Sequence, residues 1–313
     1  LRIAMETDPD VILMGEDLAG GGTRPDGTDE AGGVLGTPRG LMKQFGPQRV
    51  LDTPISEMAL LGTAVGAAAT GMRPVVELMY MDFALMASDQ IANQAGKWHY
   101  MSGAQTTVPV VIRIPYGGGI GSIEHHSESP GALFAHTAGL RIITPSNPHD
   151  AYWMIQQAVD CQDPVIVFEP KRRYWLKGEV DTESPGTSAD PFKAHVLREG
   201  TDATVVVYGP LVPVALAAAN AAAEDGHSVE VIDLRSISPI DFDTVTESVK
   251  KTGRLIVAHE APTFGGIGGE IAARISERAF HSLEAPVIRV GGFHMPYPVA
   301  KVEEDYLPDI DRI

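Results

Sequence analysis

The chain has 313 residues, 44% of them hydrophobic, which allows two ordinary domains with substantial cores and makes disorder the wrong default. A formal net charge of −17 argues against nucleic-acid binding, which needs clustered lysine and arginine, and no apolar run reaches the ~20 residues of a membrane helix. Cys161 is the only cysteine, which leaves no intrachain disulfide and fits a reducing compartment.

No basic-then-apolar leader opens the chain, and LRIAMETD reads as the middle of a helix, as though the natural N-terminus lay upstream. VILMGED at 11–17 reads as a buried strand, followed by a glycine-rich loop over 19–40. That loop has Gly20, Gly21 and Gly22 in a row but neither a G-x-x-x-x-G-K-[ST] nor a GxGxxG pattern, so a phosphate loop is not expected.

Strand-like RVLDTP (49–54) and PVVELMY (74–80) flank a run of small apolar residues interrupted by Gly62, Gly66 and Gly71. A helix without a polar face is expected to be buried on all sides, with glycines permitting close backbone approach. Its first turn carries Glu57 behind Ser56, an expected N-cap. Glu57 has two readings: a carboxylate stabilised by the helix N-terminus, or a ligand-facing carboxylate near Met79, Tyr80 and Phe83, beyond the end of the next strand. A carboxylate beside a thioether and an aromatic suits a flat heteroaromatic ring with a nitrogen to protonate.

Residues 84–103 have helical periodicity, and VPVVIRIP (108–115) reads as a strand covered on both faces. Gly117, Gly118, Gly119 and Gly121 predict a flexible loop leading to His125, His126, Ser127 and Glu128. Adjacent histidines without HExxH or a cysteine pair do not make a zinc site. They fit either a solvated loop or a histidine at the mouth of a site, able to donate a proton.

Residues 140–170 form a strand–helix–strand unit with Pro148 in the first helical turn, and this alternation predicts a parallel sheet. Polar residues 175–190 read as a linker. Strands at 203–209, 228–235, 254–260 and 286–292 then alternate with helices. GGIGGE (265–270) lacks the third glycine of a dinucleotide fingerprint. The acidic tail, with Glu303, Glu304, Asp305, Asp309 and Asp311, is expected to be a solvated end or a docking surface.

Taken together, GED (15–17), FGPQRVLDTPISE (45–57), DQIANQAGKWHYMSG (89–103), HSES (126–129), FEPK (168–171) and HE (259–260) followed by GGIGGEI resemble one family over nearly the whole chain. It is the beta subunit of the thiamine-diphosphate-dependent first component of 2-oxo acid dehydrogenase complexes. The resemblance implies two doubly wound α/β domains: a pyrimidine-binding domain (1–175), a linker (176–199) and a transketolase C-terminal-like domain (200–313).

It further implies that Glu57 hydrogen-bonds N1′ of the cofactor's aminopyrimidine and so promotes removal of the thiazolium C2 proton, with Ile55, Met79 and Phe83 lining the ring. His126 corresponds to the histidine implicated in acyl transfer to a lipoyl arm. Glu128 stands where glutamine is commoner, a carboxylate able to raise the pKa of His126 if the two side chains meet. Carbonyls of Val110, Ala158, Cys161 and Asp163 correspond to a structural potassium site.

The GDG-plus-asparagine motif that holds magnesium and diphosphate is missing, and PDG (25–27) lies in the wrong setting. The implied partner is an alpha subunit that supplies that half-site in an α2β2 heterotetramer, docked on a lipoyl acyltransferase core. His294 replaces a more usual aspartate in the docking region. FEPKRRYW is more like branched-chain members and YMSG more like pyruvate-type ones, so branched-chain 2-oxo acids lead, with pyruvate and acetoin next. The alternatives are a single-chain transketolase-like enzyme, which needs the missing motif, and a scaffold subunit, which needs neither Glu57 nor His126. Such a protein is expected in the cytoplasm of a bacterium or the mitochondrial matrix of a eukaryote.

Overall fold

The computed structural model describes residues 1–19 and 32–313, and these fall into two compact units. One comprises Leu1–Pro115, His136–Ile142 and Tyr152–Phe168; the other comprises Tyr116–Ala135, Ile143–Ala151 and Glu169–Ile313. In chain order the elements are α1 (Arg2–Thr7), β1 (Val11–Gly15), α2 (Leu41–Phe45), β2 (Val50–Asp52), α3 (Glu57–Ala69) and β3 (Arg73–Glu77). Next come α4 (Gly96–Met101), β4 (Val111–Tyr116), α5 (Gly131–Ala135), β5 (Arg141–Ile143), α6 (Pro148–Asp160) and β6 (Val165–Pro170). The remainder runs β7 (His195–Arg198), β8 (Ala203–Val207), α7 (Val212–Glu224), β9 (Val229–Asp233), β10 (Ser236–Ser238) and α8 (Phe242–Thr252). It ends with β11 (Leu255–Pro262), α9 (Ile267–Arg278), β12 (Ile288–Gly292) and α10 (Glu303–Tyr306). No helix among the described residues is long and apolar enough to cross a membrane.

The first unit is built on strands in the order β5-β6-β4-β3-β1-β2, in which β2, β1, β3 and β4 are parallel neighbours. VILMG and VIRIPY are buried along their whole length, as continuous apolar runs in a covered parallel sheet should be. The periodic stretch 84–103 is not one α-helix. It divides into a π-helical segment, Gln90–Ala95, and α4, with the change at Gly96, where the backbone closes on Gly139. α6 starts where the sequence places it: Asn147 Oδ1 accepts from the Asp150 N–H at 2.9 Å, capping the first turn ahead of Pro148.

The second unit carries a sheet in the order β12-β11-β8-β9-β7, parallel except for β7 against β9. Strand β7 lies within the polar stretch 176–199; its half-buried residues give no apolar run to mark it. The core joins Val205, Val207, Val231 and Ala258 of the sheet to Leu211, Val212, Ala215 and Ala219 of α7 and the turn before it. α8 has both ends specified in sequence: Asp241 accepts from the Thr244 N–H, and Gly253 takes the left-handed C-cap position at φ 71°.

A buried polar network crosses this unit. Asp233 accepts from Ser146 Oγ at 2.5 Å and from the Arg235 N–H at 3.0 Å, and Arg235 reaches Asp150 at 3.3 Å. Burial, the dominant cause, pushes the Asp233 carboxyl from 3.8 up to about 7 despite those donors. Ionisation is therefore opposed more in the folded than in the unfolded chain. The stability due to neutral Asp233 is full below pH 3.8 and is lost as pH rises through about 7. Asp233→Asn should flatten that slope, by up to about 4 kcal/mol across the interval in urea unfolding; a slope equal to wild type contradicts the assignment.

Candidate active site

Register decides where the first set of predicted residues emerges. Gly15 of β1 stands opposite Asp52 of β2 and Glu77 of β3 in a parallel arrangement. The chain therefore leaves all three strands at one edge, bringing Glu16, the segment from Thr53 to Glu57, and Leu78–Met79 beyond the same C-terminal ends, the usual ligand edge of such sheets. Gly15 has no alternative here, since a Cβ would lie 2.7 Å from the Glu77 carbonyl oxygen. The Thr53 N–H closes the edge on the Gly15 carbonyl at 2.9 Å.

Glu57 opens α3 and is buried, 9% exposed. Ser56 occupies the N-cap position but makes no side-chain cap bond, contrary to expectation. Glu16, also buried, has its carboxyl pushed up first by burial and then by the neighbouring charges of Glu57 and Asp17. Among the described residues the Glu57 carboxylate has no hydrogen-bond or ion-pair partner, so it is available as an acceptor for a ring nitrogen. Met79 and Phe83 are half-buried, with Tyr80 and Phe83 rings 6.4 Å apart. Ile55 is 84% exposed in this single chain. α3 itself is not buried on all sides: Met58, Ala59, Thr63 and Gly66 are exposed along one stripe. The helix therefore keeps an open, largely apolar stripe in this chain.

His126 belongs to the second unit, in a 3₁₀ turn His125–Ser127 whose two imidazole centroids lie 4.4 Å apart. The buried Lys171 ammonium donates to the His126 carbonyl, and Ser127 Oγ donates to Ile123 O at 2.9 Å. The glycine loop before it is not free. Gly117 and Gly118 are buried, and a Cβ at Gly118 would run into Tyr297 Oη, one at Gly119 into Arg172. Glu128 turns its carboxylate to the Tyr297 N–H at 3.3 Å, while its carbonyl accepts from Gly117 at 3.0 Å.

The four carbonyls of the potassium expectation all lie in the first unit. Val110 O accepts from the Val165 N–H at 2.9 Å and Ala158 O from the Cys161 N–H at 3.3 Å. Arg73 donates to Val159 O at 2.7 Å and to Cys161 O at 3.4 Å, and the Asp163 side chain holds Arg141 at 2.6 Å. A carbonyl oxygen has a second lone pair, and oxygen donors suit a hard cation. The GGIGGE glycines serve packing: added Cβ atoms at Gly266 and Gly268 would each lie 2.8 Å from the buried His259 ring. His259 Nδ1 donates to Ala261 O at 2.8 Å while Nε2 accepts from the Gly268 N–H at 3.2 Å, and burial lowers its pKa, keeping it neutral. The Gly20–Gly22 run and PDG at 25–27 lie outside the described residues.

Residues 1–175 match the transketolase pyrimidine-binding domain family, and residues 192–313 match the transketolase C-terminal domain family. A pyruvate dehydrogenase E1 component subunit beta from Leifsonia xyli is 52% identical over 100% of this chain and 89% of its own. A 3-methyl-2-oxobutanoate dehydrogenase subunit beta from Mycobacterium tuberculosis is 45% identical over 99% and 86%. The chain belongs to this family of dehydrogenase beta subunits. An acetoin:2,6-dichlorophenolindophenol oxidoreductase subunit beta from Cupriavidus necator is 44% identical over 99% and 91%. A solved structure described as a split-gene transketolase, inactive beta4 tetramer, shares the fold at TM-score 0.77 and 23% identity, covering 99% of this chain and 91% of its own.

Around the family's residues the structure adds Glu16, Lys171, Arg172, Glu260 and Tyr297, to which the sequence motifs assign no role, and Glu303, expected only as part of a solvated or docking tail. Three belong to the quoted motifs GED, FEPK and HE, so the signal was present without a meaning. Tyr297 and Glu303 had no signal beyond the tail's acidity, and Glu303 is buried rather than solvated. The packing account of GGIGGE makes Gly268→Ala an overpacking substitution, expected to destabilise by about 1–3 kcal/mol in urea unfolding. Stability equal to wild type would show that the His259 ring has room to move.

Proposed function

We propose that this beta subunit supplies the aminopyrimidine half-site of a thiamine-diphosphate-dependent 2-oxo acid dehydrogenase, in an α2β2 heterotetramer with an alpha subunit. The observation that carries the reading is Glu57: buried, at a helix start, on the ligand edge of the sheet, with no partner among the described residues. Thiamine diphosphate, when bound, supplies the carbon nucleophile and the electron sink for decarboxylation. Glu57 would share a proton with ring nitrogen N1′, which fixes the tautomer able to take the C2 proton. Met79, Phe83 and Ile55 would line the ring, with Ile55 and the α3 stripe covered by the alpha subunit. That subunit would hold magnesium and the diphosphate.

His126 would serve the second half-reaction. As the lipoyl S–S bond opens on acyl transfer, His126 would hold the proton that passes to the departing sulfur. The lipoyl acyltransferase core is the implied acceptor. Domain limits at 1–175 and 200–313 with a linker at 176–199, and a bacterial cytoplasmic location like that of an enzyme with bacterial relatives, belong to the same proposal.

Branched-chain 2-oxo acids remain the first substrate class, from the character of FEPKRRYW, and pyruvate is the second reading. The 52% identical relative carries a pyruvate name, and of that segment Lys171 donates to the His126 carbonyl while Arg172 pairs with Glu260. Co-expression with the alpha chain should give decarboxylation of 3-methyl-2-oxobutanoate or pyruvate only in the mixture. Glu57→Gln should leave assembly intact and lower turnover by about 10²-fold or more. Unchanged turnover in that variant contradicts the role of Glu57.

Potassium at the Val110, Ala158, Cys161 and Asp163 carbonyls is proposed as a structural ligand. The melting temperature of the assembly should then rise with potassium relative to tetramethylammonium at equal ionic strength, since a ligand of the folded state alone stabilises it. Coincident melting curves contradict the site.

A further inference from the structure

The loop that leads to His126 is tied down by the far end of the chain, within the same unit. Gly118 N–H donates to Glu260 Oε1 at 2.5 Å, and the other oxygen of that carboxylate holds Arg172 at 2.6 Å. Glu303 accepts from Gly119 at 3.0 Å with one oxygen and from Gly121 at 2.8 Å with the other. Tyr297 Oη lies between them, accepting from the Gly119 N–H at 3.2 Å and donating to Glu303 at 3.0 Å. Burial, foremost, raises the Tyr297 pKa, so the phenol stays a donor.

These bonds answer a specific need. Gly117, Gly119 and Gly121 have φ of 82°, 79° and 70°, a left-handed alternation that only glycine adopts readily and that loses the most freedom when fixed. A segment of this kind keeps one shape only where its N–H groups meet strong acceptors, and bonds to ionised carboxylates are about twice as strong as neutral ones. At the other end the loop is closed by the Glu128 carbonyl on Gly117, the Glu128 carboxylate on Tyr297 and the Lys171 ammonium on the His126 carbonyl. His126 therefore sits in a span anchored on both sides, and the anchor on the glycine side comes from residues 260–303.

We propose that Glu303, together with Glu260 and Tyr297, is a positioning residue for acyl transfer: its carboxylate bridges the Gly119 and Gly121 N–H groups and so fixes the loop that presents His126. This rests on the reading of His126 as the proton donor in that step. It gives the acidic tail a task inside the subunit, in place of a docking one, for the single tail carboxylate that is buried.

The test compares Glu303→Gln, Tyr297→Phe and His126→Gln in the assembled complex. Three quantities are read: amide exchange over residues 117–121, kcat for acyl transfer to a lipoyl domain, and oxidation of the same 2-oxo acid by the dye 2,6-dichlorophenolindophenol. In Glu303→Gln, exchange should quicken by about tenfold and the acyl-transfer kcat should fall on the order of tenfold to a hundredfold, with dye reduction unchanged. Tyr297→Phe should shift both in the same direction by less. Wild-type exchange or wild-type transfer in Glu303→Gln overturns the proposal, as does a parallel loss of both reactions, which a general structural defect would give. If Glu303→Gln does not assemble, Tyr297→Phe decides on the same criteria. His126→Gln separates the two readings. Full transfer in that variant removes the role of His126, whereas transfer lost there and kept in Glu303→Gln removes the positioning role alone.

Discussion

The parallel register through Gly15 is the constraint on which the candidate site depends. With Gly15 opposite both Asp52 and Glu77, three strands end level and release Glu16, Glu57 and Met79 at one edge. The absent side chain at Gly15 lets β3 approach, because a Cβ there would meet the Glu77 carbonyl. A slip by one residue would turn every side chain of β1 to the opposite face and break this alignment. Glu57 owes its burial and its place near Glu16 to that geometry, more than to the intrinsic helix preference of the glycine-bearing α3.

Buried carboxylates in this chain meet their surroundings in different ways. Asp233 is surrounded by donors and is pushed toward its neutral form all the same. Glu260 and Glu303 satisfy theirs with glycine N–H groups, an arginine and a phenol, and thereby hold a loop. Glu57 is left with nothing to accept from among the described residues. The carboxylates that accept from the chain organise it, whereas Glu57, on the ligand edge of the sheet, is left to accept from a bound group.

Much of this was legible in the sequence because the signals are local. Continuous β-branched runs marked the covered strands, Asp241 and Gly253 marked both ends of α8, and Pro148 marked the start of α6. β7 and β10 were not, since strands of three or four residues with polar or half-buried faces leave no periodic trace. The helical periodicity of 84–103 does not show the change of helix type at Gly96, where the backbone abuts Gly139, a contact 43 positions away that no local pattern encodes. Around the candidate site, Glu57 could be read from one charge on a bare helix. The pinned loop could not. Four glycines in five residues spell flexibility, and only the side chains of Glu260, Tyr297 and Glu303, more than a hundred positions on, remove it. In the tail, acidity signals solvent correctly for Glu304, Asp305, Asp309 and Asp311, and Glu303 alone is buried.

The most direct test of the central claim is the rate at which the C2 proton of bound thiamine diphosphate exchanges with deuterium, followed by proton NMR after acid quench in the assembled complex. Glu57→Gln should slow that exchange by about 10²–10⁴-fold while the cofactor still binds, the scale of losing one proton-transfer group. Exchange at the wild-type rate in a variant that binds the cofactor would contradict the account, because Glu57 would then be a buried carboxylate with no part in activating the ring.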